Sequence, residues 1–378
     1  MLPLSLYIHI PWCIRKCPYC DFNSHKSPDA LPEQRYISAL ISDLKQDLER
    51  FPGRTIDSIF IGGGTPSLFS PESYDTLFSA IKPMLPFASD IEITLEANPG
   101  TVEQQRFNDY RALGINRLSL GIQSFNPTHL HALGRIHDGK QAHRAIEAAR
   151  RADFENINID IMHGLPKQTI AEGLDDLQTA FSHQPEHLSW YQLTIEPNTV
   201  FYKNPPPLPT EDDAFVLEEK GLALLEKAKY HRYEISAFCQ EGKPARHNLN
   251  YWLFGDYYGI GAGAHGKLTS ADGEQVHRTR KYRQPADYLN AEKGYLAACD
   301  PVSKNDLVFE FMLNATRLQE PIANALFTER TGLNFDQLTP GLLEAEAKGL
   351  VILRNTHWQI TPFGRRYTND LQALFLLD

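Results

Sequence analysis

Cys13, Cys17 and Cys20 place three thiols within eight positions, spaced by four and then three residues, just after an apolar run. Soft thiolates suit iron–sulfur clusters, and a cubane needs one ligand on each of its four irons. A three-cysteine set leaves one iron open to a small molecule that chelates through an amine and a carboxylate. A zinc site would want a fourth Cys or His close by, and His25 comes five residues after Cys20. Further along, Gly62-Gly63-Gly64-Thr65-Pro66 follows a second apolar run. Glycines there permit φ > 0 and close backbone approach, so that successive N–H and C=O groups can face a polar ligand. The bare motif is equally a tight turn. Glu96, Gln123, Arg135 and Asp160 stand at or just past the ends of later apolar runs. A buried carboxylate requires a partner or hydrogen-bond donors, which a ligand or a structural ion pair would supply. Tyr7 and Tyr19 flank the cysteines, positioned to shield a cluster from water or to pack in the core. Cys239 and Cys299 are isolated and read as small buried apolar residues.

The elements that must position these groups repeat one theme over the first 200 residues, a β-rich apolar run followed by a helical stretch. The runs are Leu4–Ile10, Ile56–Ile61, Ile91–Ala97, Arg117–Ser124, Ile157–Met162 and Leu188–Ile195, and they read as nearly continuous apolar segments without simple alternation. That pattern predicts parallel strands buried on both faces. Helices are expected at Glu33–Arg50, Pro71–Met84, Gln104–Leu113, Gly139–Ala152 and Ala171–Phe181. Six β–α units with right-handed crossovers can curl into an incomplete (β/α)6 TIM-like barrel, and an open doubly wound sheet has the same strand count. The residues with chemistry fall at the C-terminal ends of the runs, where such folds build their sites.

The Pro-rich stretch Asn204–Thr210 reads as a surface connector. A helix (Asp212–Ala228), a short strand (Tyr233–Phe238) and the Gly-rich run at 259–266 follow it. From about Ser303, helical segments precede a hairpin at 350–361 and a last helix, an arrangement similar to a winged-helix module. The expected division is 1–203 for the barrel, 204–302 for an associated extension and 303–378 for a smaller helical, winged-helix-like domain.

The bulk composition excludes several classes. With 37 basic against 47 acidic residues the chain carries −10, which disfavours wholesale nucleic-acid binding. The apolar fraction of 42% and charged fraction of 22% are ordinary for a globular protein. No stretch reaches the roughly 18 consecutive apolar residues of a membrane span, and the N-terminus lacks the features of a secretory signal. Five cysteines, three of them clustered, suit a reducing compartment better than a disulfide framework. The expected location is the cytoplasm.

The three-cysteine spacing, with Tyr19 before the last thiol, resembles the signature of the radical S-adenosylmethionine (SAM) superfamily. This implies a [4Fe-4S] cluster on Cys13, Cys17 and Cys20, with SAM on the open iron. It also implies that Gly63, Gly64 and Thr65 meet the methionine amino group. Glu96 and Asp160 suit ribose hydroxyls, Arg135 suits the methionine carboxylate, and Gln123 stands among the groups around the nucleoside.

The resemblance extends over nearly the whole chain. TyrIleHisIleProTrpCys, GlyGlyGlyThrProSer, LeuGlyIleGlnSerPhe and AspIleMetHisGlyLeuProLysGln are similar to the oxygen-independent coproporphyrinogen III oxidase family. Two features separate its branches. The oxidases carry a further Cys two positions after the third cluster cysteine, where this chain has Phe22, and an N-terminal extension for which this chain leaves little room. His247-Asn248-Leu249-Asn250-Tyr251-Trp252 resembles the HisAsnXxxXxxTyrTrp motif of the HemW-type heme chaperones. An imidazole can ligate iron, and Tyr and Trp offer flat faces, so His247, Tyr251 and Trp252 become candidate heme contacts, although such a trio is also ordinary core. The resemblance implies a protein that binds heme and passes it to respiratory hemoproteins, with possible dimerisation and peripheral membrane contact. Oxidative decarboxylation of coproporphyrinogen III and radical chemistry on another substrate are the alternatives.

Overall fold

The structure is a computed structural model that describes residues 2–291 and 293–376, with the side chains of 101–103 also outside that description. Six parallel strands form its centre: β1 (Leu4–Ile10), β2 (Ile56–Gly63), β3 (Phe87–Ala97), β4 (Arg117–Gln123), β5 (Ile157–His163) and β6 (His187–Gln192). Each pairs with its successor in parallel register. The connecting helices include α1 (Glu33–Arg50), α2 (Pro71–Ile81), α3 (Thr101–Ala112), α4 (Gly139–Arg151) and α5 (Ile170–Ser182). Local chemistry starts them. Ser70 accepts from Ser73 N–H, while Asp138/Gln141 and Thr169/Glu172 form reciprocal capping boxes that satisfy otherwise orphaned donors. α2 stops at Ile81, earlier than expected, because Pro83 has no N–H to continue the ladder and disfavours helix at Lys82 before it; the chain goes on as a turn in which Met84 and Leu85 N–H donate to the Ile81 carbonyl.

The strands are buried on both faces, but their sequences do alternate, contrary to the expectation. On β1, Leu4, Leu6, Ile8 and Ile10 lie in the apolar core, while Ser5, Tyr7 and His9 occupy the opposite face. The same period gives Ser119, Gly121 and Gln123 on β4, Asn158 and Asp160 on β5, and Ser189 and Tyr191 on β6. These polar positions turn to the barrel interior, where Ser5 and Ser58 meet at 2.8 Å across neighbouring strands. A polar interior suits a barrel that holds a ligand.

The barrel does not close. Beyond β6 the sheet ends with β7 (Ala237–Cys239) and the two residues His231–Arg232. The single short strand expected at 233–238 is thus split, since the Glu234 carboxylate accepts from Ser236 N–H at 2.9 Å and bends the chain between the pieces. On the other side, β8 (Asp256–Ile260) pairs parallel to β1, and β9 (His265–Thr269), β10 (Val276–Lys281) and β11 (Leu296–Pro301) continue antiparallel. None of these four strands is among the elements expected from the sequence, which placed only a Gly-rich run at 259–266 within an associated extension. Its loop is pinned to β1 through Gly261, whose φ is +103° and where a Cβ would lie 2.4 Å from the His9 carbonyl oxygen.

The C-terminal region has its own core, built on Phe311, Phe327, Leu342 and Trp358, which also takes in Phe254 and Val276 from the extension. Its hairpin strands Val351–Leu353 and His357–Ile360 join Ile322–Ala323 in a three-stranded sheet, consistent with the winged-helix likeness.

Candidate functional site

The loop after β1 is built to hold thiols in place. Trp12 packs edge-on against Tyr36 at 4.8 Å and stacks near Phe69 at 5.9 Å. Backbone bonds fix both sides of the loop: His25 N–H donates to Pro11 and Ser27 N–H to Cys13, and the Lys16 ammonium donates to the Phe22 and Ser24 carbonyls. The glycine turn packs directly against it. Gly64 N–H donates to Ile10 and Thr65 N–H to Trp12, and a Cβ on Gly64 would stand 2.5 Å from the Trp12 carbonyl oxygen. Gly63 has φ +117° and backs onto the His9 ring, so only glycine fits there.

Cys13, Cys17, Cys20 and Tyr19 line one cavity of about 330 Å³ together with Gly63, Gly64, Thr65, Glu96, Gln123, Arg135 and Asp160. Eleven residues expected from the sequence are therefore brought together, although they are spread from position 13 to position 160. Gln123 has φ 72° at an interruption of the β4–β5 ladder, the left-handed region that a side chain such as Gln rarely takes. Its carbonyl accepts from Tyr191 OH at 2.8 Å. Arg135 donates to Asn98 and to the Gly121 carbonyl, both at 2.6 Å, and reaches the Cys17 sulfur at 3.6 Å. Its Nε is buried without a partner, a donor available to an anionic ligand.

Glu96 accepts from Gly63 N–H at 3.0 Å, and burial followed by the nearby Asp160 charge pushes its carboxyl up to about 7. Asp160 is also raised by burial, against donors from Asn158 at 2.8 Å and Ser119 at 3.2 Å. Two carboxylates facing one cavity with few protein donors fit a ligand that brings hydroxyl or amine hydrogens.

Among the described residues, no three His, Cys, Asp or Glu side chains converge on a single metal ion. Burial raises the Cys13 thiol to about 11, so the metal-free thiol keeps its proton at neutral pH and would release it on binding a metal.

Four expected residues lie elsewhere. Tyr7 lines an adjoining cavity, not the thiol cavity, and bonds His9 Nδ1 at 2.8 Å. His247 is buried with both ring nitrogens engaged, Nδ1 with Ser58 at 3.0 Å and Nε2 with Tyr251 OH at 2.9 Å. Burial, then the Arg117 charge, lowers its imidazole to about 3. Tyr251 lines the adjoining cavity, whereas Trp252 lies under the Arg317 guanidinium at 4.2 Å beside a separate small pocket.

Asn98, Ser119, Ser189 and Tyr191 line the thiol cavity without having been foreseen. Asn98 links Arg135 to the glycine turn by donating to Thr65 Oγ1 at 2.9 Å. The signal for the other three was the polar residue at every second position of β4 and β6.

Residues 7–180 match the Radical SAM superfamily domain and residues 302–367 the HemN C-terminal domain. The chain is 49% identical to the heme chaperone HemW of Haemophilus influenzae, over 100% of this chain and 98% of the relative. It is 48% identical to that of Escherichia coli, over 100% and 99%, and 34% identical to that of Bacillus subtilis, over 98% and 99%. The chain belongs to the HemW heme chaperone family. Its fold is also that of the radical SAM enzyme coproporphyrinogen III oxidase (HemN) from Escherichia coli, with a TM-score of 0.83 at 22% identity, covering 99% of this chain and 90% of that one. No helix among the described residues is long and apolar enough to cross a membrane.

Proposed function

We propose that this protein is a cytoplasmic heme chaperone that holds a [4Fe-4S] cluster on Cys13, Cys17 and Cys20, binds SAM beside it, and passes heme to respiratory hemoproteins. The observation that carries the reading is the convergence of three thiols, a glycine turn, Arg135 and two buried carboxylates on one cavity, in a chain nearly half identical to heme chaperones. When bound, the cluster would supply an open iron for the amine and carboxylate of SAM. The protein's share is positional. Gly63 and Gly64 bring backbone close to the amino group, the Arg135 guanidinium matches a planar carboxylate, and Glu96 and Asp160 accept from ribose hydroxyls. Tyr19 and Tyr191 narrow the cavity and limit water. His247 holds the Tyr251 hydroxyl, so the HisAsnXxxXxxTyrTrp motif serves heme through Tyr251 at the wall of the adjoining cavity. Residues 1–203 act as the SAM-holding barrel, 204–302 as the wall between barrel and heme, and 303–378 as a supporting module.

The test is anaerobic reconstitution. Cys13→Ser, Cys17→Ser and Cys20→Ser should each abolish the broad visible absorbance of the cluster; its retention in all three would remove the central claim. Wild-type protein with an intact cluster, SAM and a low-potential reductant is expected to leave coproporphyrinogen III unchanged and to transfer heme to an apo-cytochrome. Protoporphyrinogen formation would make it an oxidase instead.

A further inference from the structure

Beside the thiol cavity lies a second one of about 640 Å³, between β1 and the antiparallel extension, sharing Phe22, Gly63 and Glu96 with the first. Its size falls within the roughly 300–1,000 Å³ of pockets that enclose cofactor-sized ligands. Tyr7, Tyr251 and Tyr257 give it an aromatic wall, and Arg280 and Arg283 a cationic edge. Neither guanidinium is held by a close carboxylate among the described residues. Arg280 has only a loose 3.9 Å contact with Asp300, both side chains more than half exposed, and Arg283 donates from Nε to Asn23 at 3.2 Å. Arg278, by contrast, is held by Glu310 and Tyr257.

Two imidazoles line this cavity, His9 and His265. His9 is buried and uses both nitrogens, on Tyr7 OH and the Asn23 carbonyl. The imidazole of His265, on β9, makes no hydrogen bond or ion pair among the described residues and is exposed in the lining of this cavity. His247 has no free nitrogen at all.

We propose that this cavity is the heme site, with the His265 imidazole as axial ligand and Arg280 and Arg283 pairing with the two propionates. The inference rests on the heme-binding reading above and names the residues that carry it out. A flat macrocycle with one anionic edge matches an aromatic wall with a cationic edge, and the guanidinium fork fits each carboxylate. A neutral imidazole free of hydrogen bonds can give its lone pair to iron without breaking anything first. His247 is then a positioning residue that acts through Tyr251.

The experiment is a hemin titration of the full-length protein followed by the Soret band, with iron-free protoporphyrin IX as control. His265→Ala should shift the band and weaken hemin about tenfold or more, with added imidazole restoring the band. Its affinity for protoporphyrin IX should stay at the wild-type value. The Arg280→Ala/Arg283→Ala double variant should weaken both porphyrins about tenfold or more while keeping the wild-type band position. His247→Asn should lower affinity without moving the band. A His265→Ala protein that matches wild type in band and affinity, or a band lost through His247→Asn instead, overturns this site and leaves heme binding standing. Wild-type protein that takes up no hemin overturns both.

Discussion

Under the proposed function, Glu96 is the residue at which ligand binding and proton binding meet. Its carboxyl titrates near 7 in the folded protein against an ordinary value of 4.5. Between those values the native state holds more protons than the unfolded chain, so ligand-free stability falls as pH rises across that window, by at most about 3 kcal/mol from this group. SAM binding should run the other way, because the carboxylate that accepts from ribose hydroxyls must be ionised. Calorimetry on the reconstituted protein is expected to show affinity rising with pH by up to about tenfold per unit until about 7, then levelling off. Glu96→Gln should flatten the profile, and a slope that survives this change would assign the proton elsewhere. Arg135 belongs to the same scale. Its buried, partnerless Nε and its bonds to Asn98 and Gly121 predict that Arg135→Lys weakens SAM by about 1.5–3 kcal/mol, since an ammonium cannot reproduce the fork.

Between elements, the decisive contact joins α1 to the extension. Lys281 on β10 places its ammonium 2.5 Å from Asp43 and 2.7 Å from Asp47, all three side chains fully buried. Asp43 also accepts from Tyr288 OH at 2.6 Å and from Gly261 N–H at 3.1 Å. One carboxylate thus ties the helix, the Gly-rich loop and the strand that leads to Arg283. Removing the cation leaves two buried carboxylates uncompensated. Lys281→Met should therefore destabilise the protein by about 3–5 kcal/mol in urea unfolding, and a shift below 1 kcal/mol would show the cluster to be hydrated.

On the scale of the whole molecule, the C-terminal module shares its core with the barrel extension. Phe254 packs edge-on against Phe311 at 5.8 Å and beneath the Lys267 ammonium at 4.3 Å, and Arg317 pairs with Glu234 at 2.9 Å. A shared apolar core couples the parts, so thermal unfolding should be one transition by both near- and far-UV dichroism. Phe254→Ala, which opens a cavity at that junction, should lower stability by about 3–5 kcal/mol. Two separated transitions in the wild type would show that the module unfolds alone.

Much of this protein is set by local sequence. The spacing of Cys13, Cys17 and Cys20 gathers three thiols within one loop, and capping residues such as Asp138 and Thr169 start helices within one turn. Period-two polarity, present at Ser119, Asn158 and Ser189 within runs that read as nearly continuous apolar segments, marks which strand face turns inward. These signals act over a few residues, so they are legible in order along the chain. What the tertiary structure decided depends on contacts between distant segments. The parallel pairing of Asp256–Ile260 with β1 follows from a fit of Gly261 to the His9 carbonyl that no local pattern encodes. That pairing creates the second cavity and places His265 in its lining. The same long-range packing closes Ser58 and Tyr251 around His247, so an imidazole whose type suits iron is left without a lone pair to give. Residue type states what a side chain can do, and the groups packed around it decide whether the atoms that would do it are free.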